Sequence, residues 1–248
     1  MKRILVLAAC LVFLSVSAFA MEVSVAPVYW DPDLNAKAKI EKNNVGTEID
    51  FTDDLGMDDE GIPGVSVDLK LGRSNHFIFG YWSVGYDGRN RLTRDFSFNG
   101  QLYTAGSTVT SSFDLDTIEF GYAFDLLNFE SFRLGPVLQV NYYSVDTELK
   151  SDLVTASNDE KMDLVFPMPG IRFGMGFLEN KLELSGQFAG LFWQGSGFWD
   201  GSAALSYYPM KNLGITAGYR VIRLDVSDDD DSADLKLDGP TLSATLRF

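Results

Sequence analysis

Thr241-Leu242-Ser243-Ala244-Thr245-Leu246-Arg247-Phe248 closes the chain. Its apolar residues are Leu242, Ala244, Leu246 and Phe248. Its polar residues are Thr241, Ser243, Thr245 and Arg247. Successive side chains of a strand point to opposite faces, so this octapeptide has one apolar face and one wet face.

The same period of two recurs upstream. Val65, Val67, Leu69 and Leu71 alternate with Ser66, Asp68 and Lys70. Ile118, Phe120, Tyr122 and Phe124 alternate with Thr117, Glu119, Gly121 and Ala123. Further runs follow from Arg133 to Tyr142, Gly170 to Phe177, Leu182 to Phe192, Trp199 to Tyr207 and Leu213 to Val221. Residues 76–86 read as a strand that is aromatic on both faces. Connections near residues 73, 127, 179, 195 and 211 are short. Those over 32–61, 88–112, 147–162 and 226–235 are longer and polar. Recurrent alternation, with short turns at one end and longer loops at the other, is the pattern of a transmembrane β-barrel. A crossing needs about 9–11 residues, and the segments fit.

These features predict an all-β fold: a single antiparallel up-and-down transmembrane barrel over residues 21–248. The count is ten strands, from Glu22–Trp30 to Leu235–Phe248, with eight or twelve as alternatives. Pro27, Pro136, Pro167, Pro169 and Pro240 fall inside strands, which central strands avoid. They point to β-bulges.

The other end of the chain reads as a signal for export. Met1-Lys2-Arg3 is positive, Ile4 to Val16 is apolar apart from Ser15, and Ala18-Phe19-Ala20 is a small-x-small cleavage site. Residues 1–20 are the expected secretory signal peptide, and the apolar run is too short for a spanning helix. Leu7-Ala8-Ala9-Cys10 offers a lipoprotein box as an alternative, although Leu11 to Leu14 continue the apolar run past it. Cleavage after Ala20 removes the single cysteine, Cys10, and with it disulfide and thiol chemistry. It also removes Lys2 and Arg3, taking the formal charge from −15 to −17. Such a surface argues against nucleic acid. Nineteen Phe, ten Tyr and four Trp suit the aromatic girdles of a barrel.

On these features the mature chain resembles the small outer-membrane barrels that include the OmpA membrane domain and OmpW-type proteins. The resemblance implies the outer membrane of a Gram-negative bacterium. Its implied partners are outer-membrane lipid, lipopolysaccharide, periplasmic chaperones and the barrel assembly machinery, which reads a terminal aromatic such as Phe248. A monomer is the favoured state. The resemblance brings no ligand residues with it.

Barrel enzymes of the outer membrane use a histidine. This chain has one, His76, which follows a short turn and so belongs near the periplasmic rim. The known barrel sites lie mostly at the outer side, so His76 reads as a polar residue at a strand end rather than as a catalytic base. The nucleophile elbow, zinc-binding His pair and phosphate loop are all absent. Asp31-x-Asp33-x-Asn35 opens like a calcium loop, but Ala36 and Lys42 occupy the positions that need Gly and Glu. Asp228, Asp229, Asp230 and Asp231, and a second group at Asp50, Asp53, Asp54, Asp58, Asp59 and Glu60, suit weak divalent binding or simply a solvated loop. No cofactor or dedicated metal site is expected.

The inward set contains both signs: Asp68, Lys70, Glu119, Arg172, Glu183, Asp200, Arg220 and Arg247, with Gln139, Asn141 and Gln187. A barrel of eight to ten strands has a lumen that side chains can fill, and buried charges must pair. A plugged lumen follows. The leading reading is therefore a non-enzymatic barrel with a structural or surface role through acidic loops. The alternatives are a narrow channel for small or apolar solutes and a lipid-modifying enzyme.

The tail makes a prediction. Burial of one ring is worth about 1.5–3 kcal/mol, which a closed barrel survives. Deleting Phe248 lowers the amount assembled in the outer membrane of cells but leaves refolding of purified protein in detergent nearly unchanged. Membrane fractionation beside a refolding assay measures both.

Overall fold

A computed structural model describes residues 21–39, 46–98, 101–152, 154–193, 196–228 and 231–248. The expected signal peptide, with Cys10, lies outside the described residues. Fifteen strands occur among those described: β1 (Met21–Trp30), β2 (Asp33–Lys39), β3 (Ile49–Asp50), β4 (Ile62–Leu71), β5 (Asn75–Arg91), β6 (Phe96–Phe98), β7 (Gln101–Tyr103), β8 (Thr108–Phe124), β9 (Leu127–Asn128), β10 (Phe132–Ser151), β11 (Val154–Phe177), β12 (Leu182–Trp193), β13 (Ser196–Met210), β14 (Leu213–Asp228) and β15 (Asp231–Arg247).

Ten of these form one barrel in the order β1-β4-β5-β8-β10-β11-β12-β13-β14-β15, every pair antiparallel, and β1 closes it against β15. The expected ten-stranded antiparallel barrel is therefore the fold. Phe248 completes the seam, because its N–H donates to the Val23 carbonyl (2.9 Å) and its own carbonyl accepts from Val23 N–H (3.2 Å). Its ring lies on the outer face, 74% exposed. The short connection near 195 lies at one end of the barrel, and the turns near residues 73, 127, 179 and 211 share the other. Gly72 there takes φ 67°, a left-handed conformation that glycine adopts without strain.

Two expectations need correction. First, the prolines are not at bulges. Register shifts occur only at Leu149/Ser151 and Tyr207/Met210, and pairing runs straight through Pro27, Pro136 and Pro240. Second, the described residues of 147–162 and 226–235 are mostly strand rather than loop. β10 and β11 pair as far as Ser151↔Val154, and β14 and β15 as far as Asp228↔Asp231. Seven of the ten wall strands have 15 to 24 residues, while β1 and β4 have 10 and β12 has 12. The seven exceed what a crossing requires and continue beyond the apolar belt.

The side-chain pattern shows where that belt ends. Along β8 the outward residues begin Phe124, Tyr122, Phe120, Ile118 and then turn to Asp116 and Asp114; the inward residues turn from Gly121, Glu119 and Thr117 to Leu115, Phe113 and Val109. The phase inverts between Ile118 and Asp116. β14 repeats it, with Ile215, Ala217, Tyr219 and Val221 outward before Arg223 and Asp225, and with Arg220 inward before Ile222 and Leu224. Each half obeys its solvent. Hydrocarbon demands apolar side chains outside, and water demands them inside. Tyrosines mark the boundary. Tyr81 donates to Asp116 (2.9 Å), Tyr142 to Asp163 (2.8 Å) and Tyr219 to Asp238 (2.7 Å), each with an apolar ring and a wet hydroxyl, as at a membrane interface.

Within 32–61 the described residues, 32–39 and 46–61, form a lid rather than a solvated loop. β2 continues the pairing of β1 with β15 in the same register, Trp30↔Thr241 passing to Asp33↔Asp238. Ile49, Leu55 and Met57 are buried beneath it. Several of its acidic residues hold backbone. Asp50 accepts from Thr52 and Asp53 N–H (3.0 Å each), and Asp59 from Leu34 N–H (2.7 Å). Arg94 clasps Asp54 and donates to the Glu48 carbonyl (2.9 Å). Burial pushes the Asp54 carboxyl up, but hydrogen bonds from Arg94 and Asp50 outweigh it and hold the group below the usual carboxylate range.

Closure has a direct consequence. With no free edge to start unzipping, unboiled protein resists SDS and migrates apart from the boiled form on a gel. Identical migration of the two would contradict a closed barrel.

Candidate functional site

The inward faces build three stacked zones. Uppermost, toward the lid, is an apolar zone from Trp30, Ile62, Val84, Phe113, Leu115, Tyr143, Phe198, Ile222 and Leu237. It keeps a cavity of about 70 Å³. Tyr143, Phe166 and Phe198 pack edge-on or tilted around it, with ring centroids 4.6–6.1 Å apart.

Below it lies a charged layer. Arg220 donates from Nη2 to Asp200 Oδ2 (2.6 Å) and Glu119 Oε2 (3.2 Å), and from Nε to Asp200 Oδ1 (3.1 Å). All three residues are buried, at 7%, 6% and 9% exposure. The guanidinium lies 4.7 Å from the Trp82 ring centroid and 5.4 Å from that of Trp30, a cation–π sandwich that suits a desolvated arginine. Gln139 Nε2 donates to Asp200 Oδ2 and Asn141 Oδ1 (3.1 Å each), Asn141 to the Tyr143 hydroxyl (2.8 Å), and Gln187 to Gln139 Oε1 (2.8 Å). Two carboxylates around one guanidinium leave one formal negative charge, and the surrounding amide and aromatic groups provide the remaining polar contacts. The layer crosses the lumen from β8 through β10 and β13 to β14, so it stands as a floor under the apolar zone.

The third zone is a polar cavity of about 380 Å³ reaching from Arg220 to Lys70 and Arg247 beside the short turns. Here His76, 3% exposed, is held between Asp68 (Nδ1 to Oδ1, 2.9 Å) and the buried Asp125 (Nε2 to Oδ2, 3.2 Å). Arg172 stands 3.8 Å from Asp68. Glu183 pairs with Arg133 and lies 3.8 Å from Arg247, which also covers the Tyr208 ring at 3.8 Å.

All eight charged residues expected inside line this lumen. They are not one network. Glu119, Asp200 and Arg220 form the floor. Asp68 and Arg172 form one group beneath it, Glu183 and Arg247 another, and Lys70 lines the same cavity. Sequence reasoning did not foresee His76 as a buried clasp, Arg133 as the partner of Glu183, or the apolar zone. The phase inversion within β8 and β14 was the available signal for that zone. Asp229 and Asp230 lie outside the described residues. Asp228 and Asp231 flank that hairpin tip, and no group of three metal-ligating residues occurs among the described residues.

No family model matches the chain, and no curated protein matches it in sequence. Solved structures do resemble it. The outer membrane protease OmpT from Escherichia coli aligns over 94% of this chain and 99% of its own, with TM-score 0.64 and 11% identity. The translocator domain of autotransporter NalP from Neisseria meningitidis aligns over 100% and 95% with TM-score 0.44 and 9% identity. The attachment invasion locus protein Ail of Yersinia pestis aligns over 92% and 99% with TM-score 0.37 and 13% identity. At these identities the first likeness establishes a shared barrel fold of the outer-membrane type and nothing about activity.

The floor makes a prediction. Arg220→Met leaves Glu119 and Asp200 buried without their cation, and breaking a buried pair this way costs about 3–5 kcal/mol. Adding Glu119→Gln and Asp200→Asn to Arg220→Met removes the stranded charge and recovers much of that loss. Unfolding by guanidinium in detergent micelles, with each variant beside the parent, compares them.

Proposed function

We propose that this chain is an integral outer-membrane barrel that carries no solute flux and no enzymatic activity, and that it acts at the cell surface through the wall and lid standing above the membrane. One observation carries the reading. The Arg220 floor and the apolar zone above it close the lumen from side to side, so the water-exposed outer wall is the face left for a partner. That wall is acidic. Asp116 and Asp163 stand in one outward row with Ser83 and Ser144, and Asp114 and Asp146 in the next row, with Lys161 beside Asp146. The partner such a surface suits is basic.

The placement of His76 also supports a non-enzymatic reading. It lies in the zone beside the short turns, far along the barrel from the lid, and both ring nitrogens are engaged by carboxylates. Its described hydrogen-bond partners include no hydroxyl to activate.

The test has two arms. Refolded protein in planar bilayers shows no stable openings, whereas openings of porin size would transfer support to the channel reading. Cells displaying the protein retain a basic probe protein at low salt, and Asp114→Asn, Asp116→Asn, Asp146→Asn and Asp163→Asn together lower that retention several-fold while the heat-modifiable form persists. Unchanged retention would remove the acidic wall as the acting surface.

A further inference from the structure

The ladder between β11 and β12 stops short of the strands' ends. β10 and β11 pair without a break from Phe132↔Met175 to Leu149↔Asn158. β11 and β12 pair only from Phe177↔Leu182 to Gly170↔Ala189, although β12 runs on to Trp193. Immediately beyond the last rung stand Pro169 and Pro167. In an antiparallel ladder a residue directs its N–H to one neighbour and the next residue to the other. Pairing with β10 continues through both prolines, so the two missing donors fall on the β12 side. Gly170 marks the limit. A Cβ there would stand 2.1 Å from the Phe188 carbonyl oxygen, so close approach of β12 ends where its glycine ends.

Location gives the seam its meaning. Val165 pairs with Tyr142, one of the boundary tyrosines, so Pro167 and Pro169 lie just inside the outer margin of the apolar belt. An unmade bond there is costly if it strands an N–H in hydrocarbon, and proline has none to strand. The side chains of β11 and β12 at the seam's inner side are apolar, with Gln139 and Asp200 of the floor as the cross-strand neighbours of Met168 and Ala189. Met168 and Ala189 are fully buried at its inner side, Leu191 packs against the same cluster, and Phe166 and Leu164 line the 70 Å³ cavity. The lid closes that cavity above and the Arg220 floor closes it below, so the side is the direction left for apolar access. An apolar cavity of roughly 150 Å³ stays dry and takes up benzene. This one, at about half that volume, has space for the end of a chain, and more once Met168 and Phe166 swing aside.

We propose that the seam between β11 and β12 is a lateral passage by which the alkyl chain of an outer-leaflet lipid enters the apolar zone, with Met168, Phe166 and Leu191 as its shutter. This inference rests on the membrane placement proposed above and is independent of the acidic wall.

Tryptophan fluorescence tests it. Trp30 and Trp82 line the cavity, whereas Trp193 and Trp199 stand near the outer face. The parent for the test is Trp193→Phe with Trp199→Phe, refolded from residue 21 into phosphatidylcholine vesicles with brominated or unbrominated acyl chains. Emission is expected to be at least twofold weaker in the brominated lipid. Met168→Cys with Leu191→Cys, placed opposite by extending the β11–β12 register two residues, adds a reversible lock. Oxidation should abolish most of the difference and dithiothreitol should restore it. Equal emission in both lipids overturns the proposal. So does quenching that the oxidised lock leaves unchanged, since that quenching acts through the wall. Heat-modifiable migration of each sample keeps a failed passage distinct from a failed barrel.

Discussion

A peptide group without a partner in hydrocarbon costs several kcal/mol, and the rest of this structure follows from avoiding that cost. A sheet meets the demand only by closing. Here the closure is β1 on β15, extended upward by β2 in one continuous register and completed at the bottom by Val23 and Phe248. Because closure fixes ten strands around a narrow lumen, side chains from opposite walls meet. The Arg220 contacts with Glu119, Trp30 and Trp82 depend on that closure, whereas Asp200 is a diagonal neighbour on the adjacent β13, where Arg220 pairs with Ser202. Where pairing lapses within the belt, on the β12 side of Pro167 and Pro169 and on the β15 side of Pro27, proline removes the donor that would otherwise be orphaned.

The molecule is two barrels in one set of strands. Below the boundary tyrosines it is inside-out relative to a soluble protein, apolar without and polar within. Above them it has an ordinary apolar core, roofed by Ile49, Leu55 and Met57 and by the segment of β2 and β3. The Arg220 floor sits where the two regimes meet. That is a reasonable place for a buried charge cluster, because polar amides from Gln139 and Asn141 lie at the same height and the aromatic zone above supplies Trp30 and Tyr143. The two proposals divide the same way: one concerns the outer wall above the boundary, the other the apolar zone within it.

Much of this was legible from residues. Alternation in Thr241–Phe248, Ile118–Phe124 and Leu213–Val221 gave strands, and the short turns gave antiparallel order and an even count of ten. Inward polar positions such as Glu119 and Arg220 followed from parity. The long strand ends were less legible, since Asp146, Glu148 and Asp225 read as loop when only the belt pattern was sought. In sequence the prolines point to bulges because a lost N–H distorts a continuing ladder, whereas at Pro167 and Pro169 it coincides with the end of the ladder to β12.

The sequence by itself determined that the chain is a strand-built barrel with a polar lower lumen, because a period of two is a local property that each strand carries alone. Tertiary structure decided which inward charges meet, that Arg220 takes both Glu119 and Asp200 while Glu183 takes Arg133, that His76 is clasped by Asp68 and Asp125, and that the upper lumen is a separate apolar zone with an unpaired seam. Those outcomes depend on shear and register around the closed circuit. Partners 101 residues apart in sequence, such as Glu119 and Arg220, face each other only after the last strand has paired with the first.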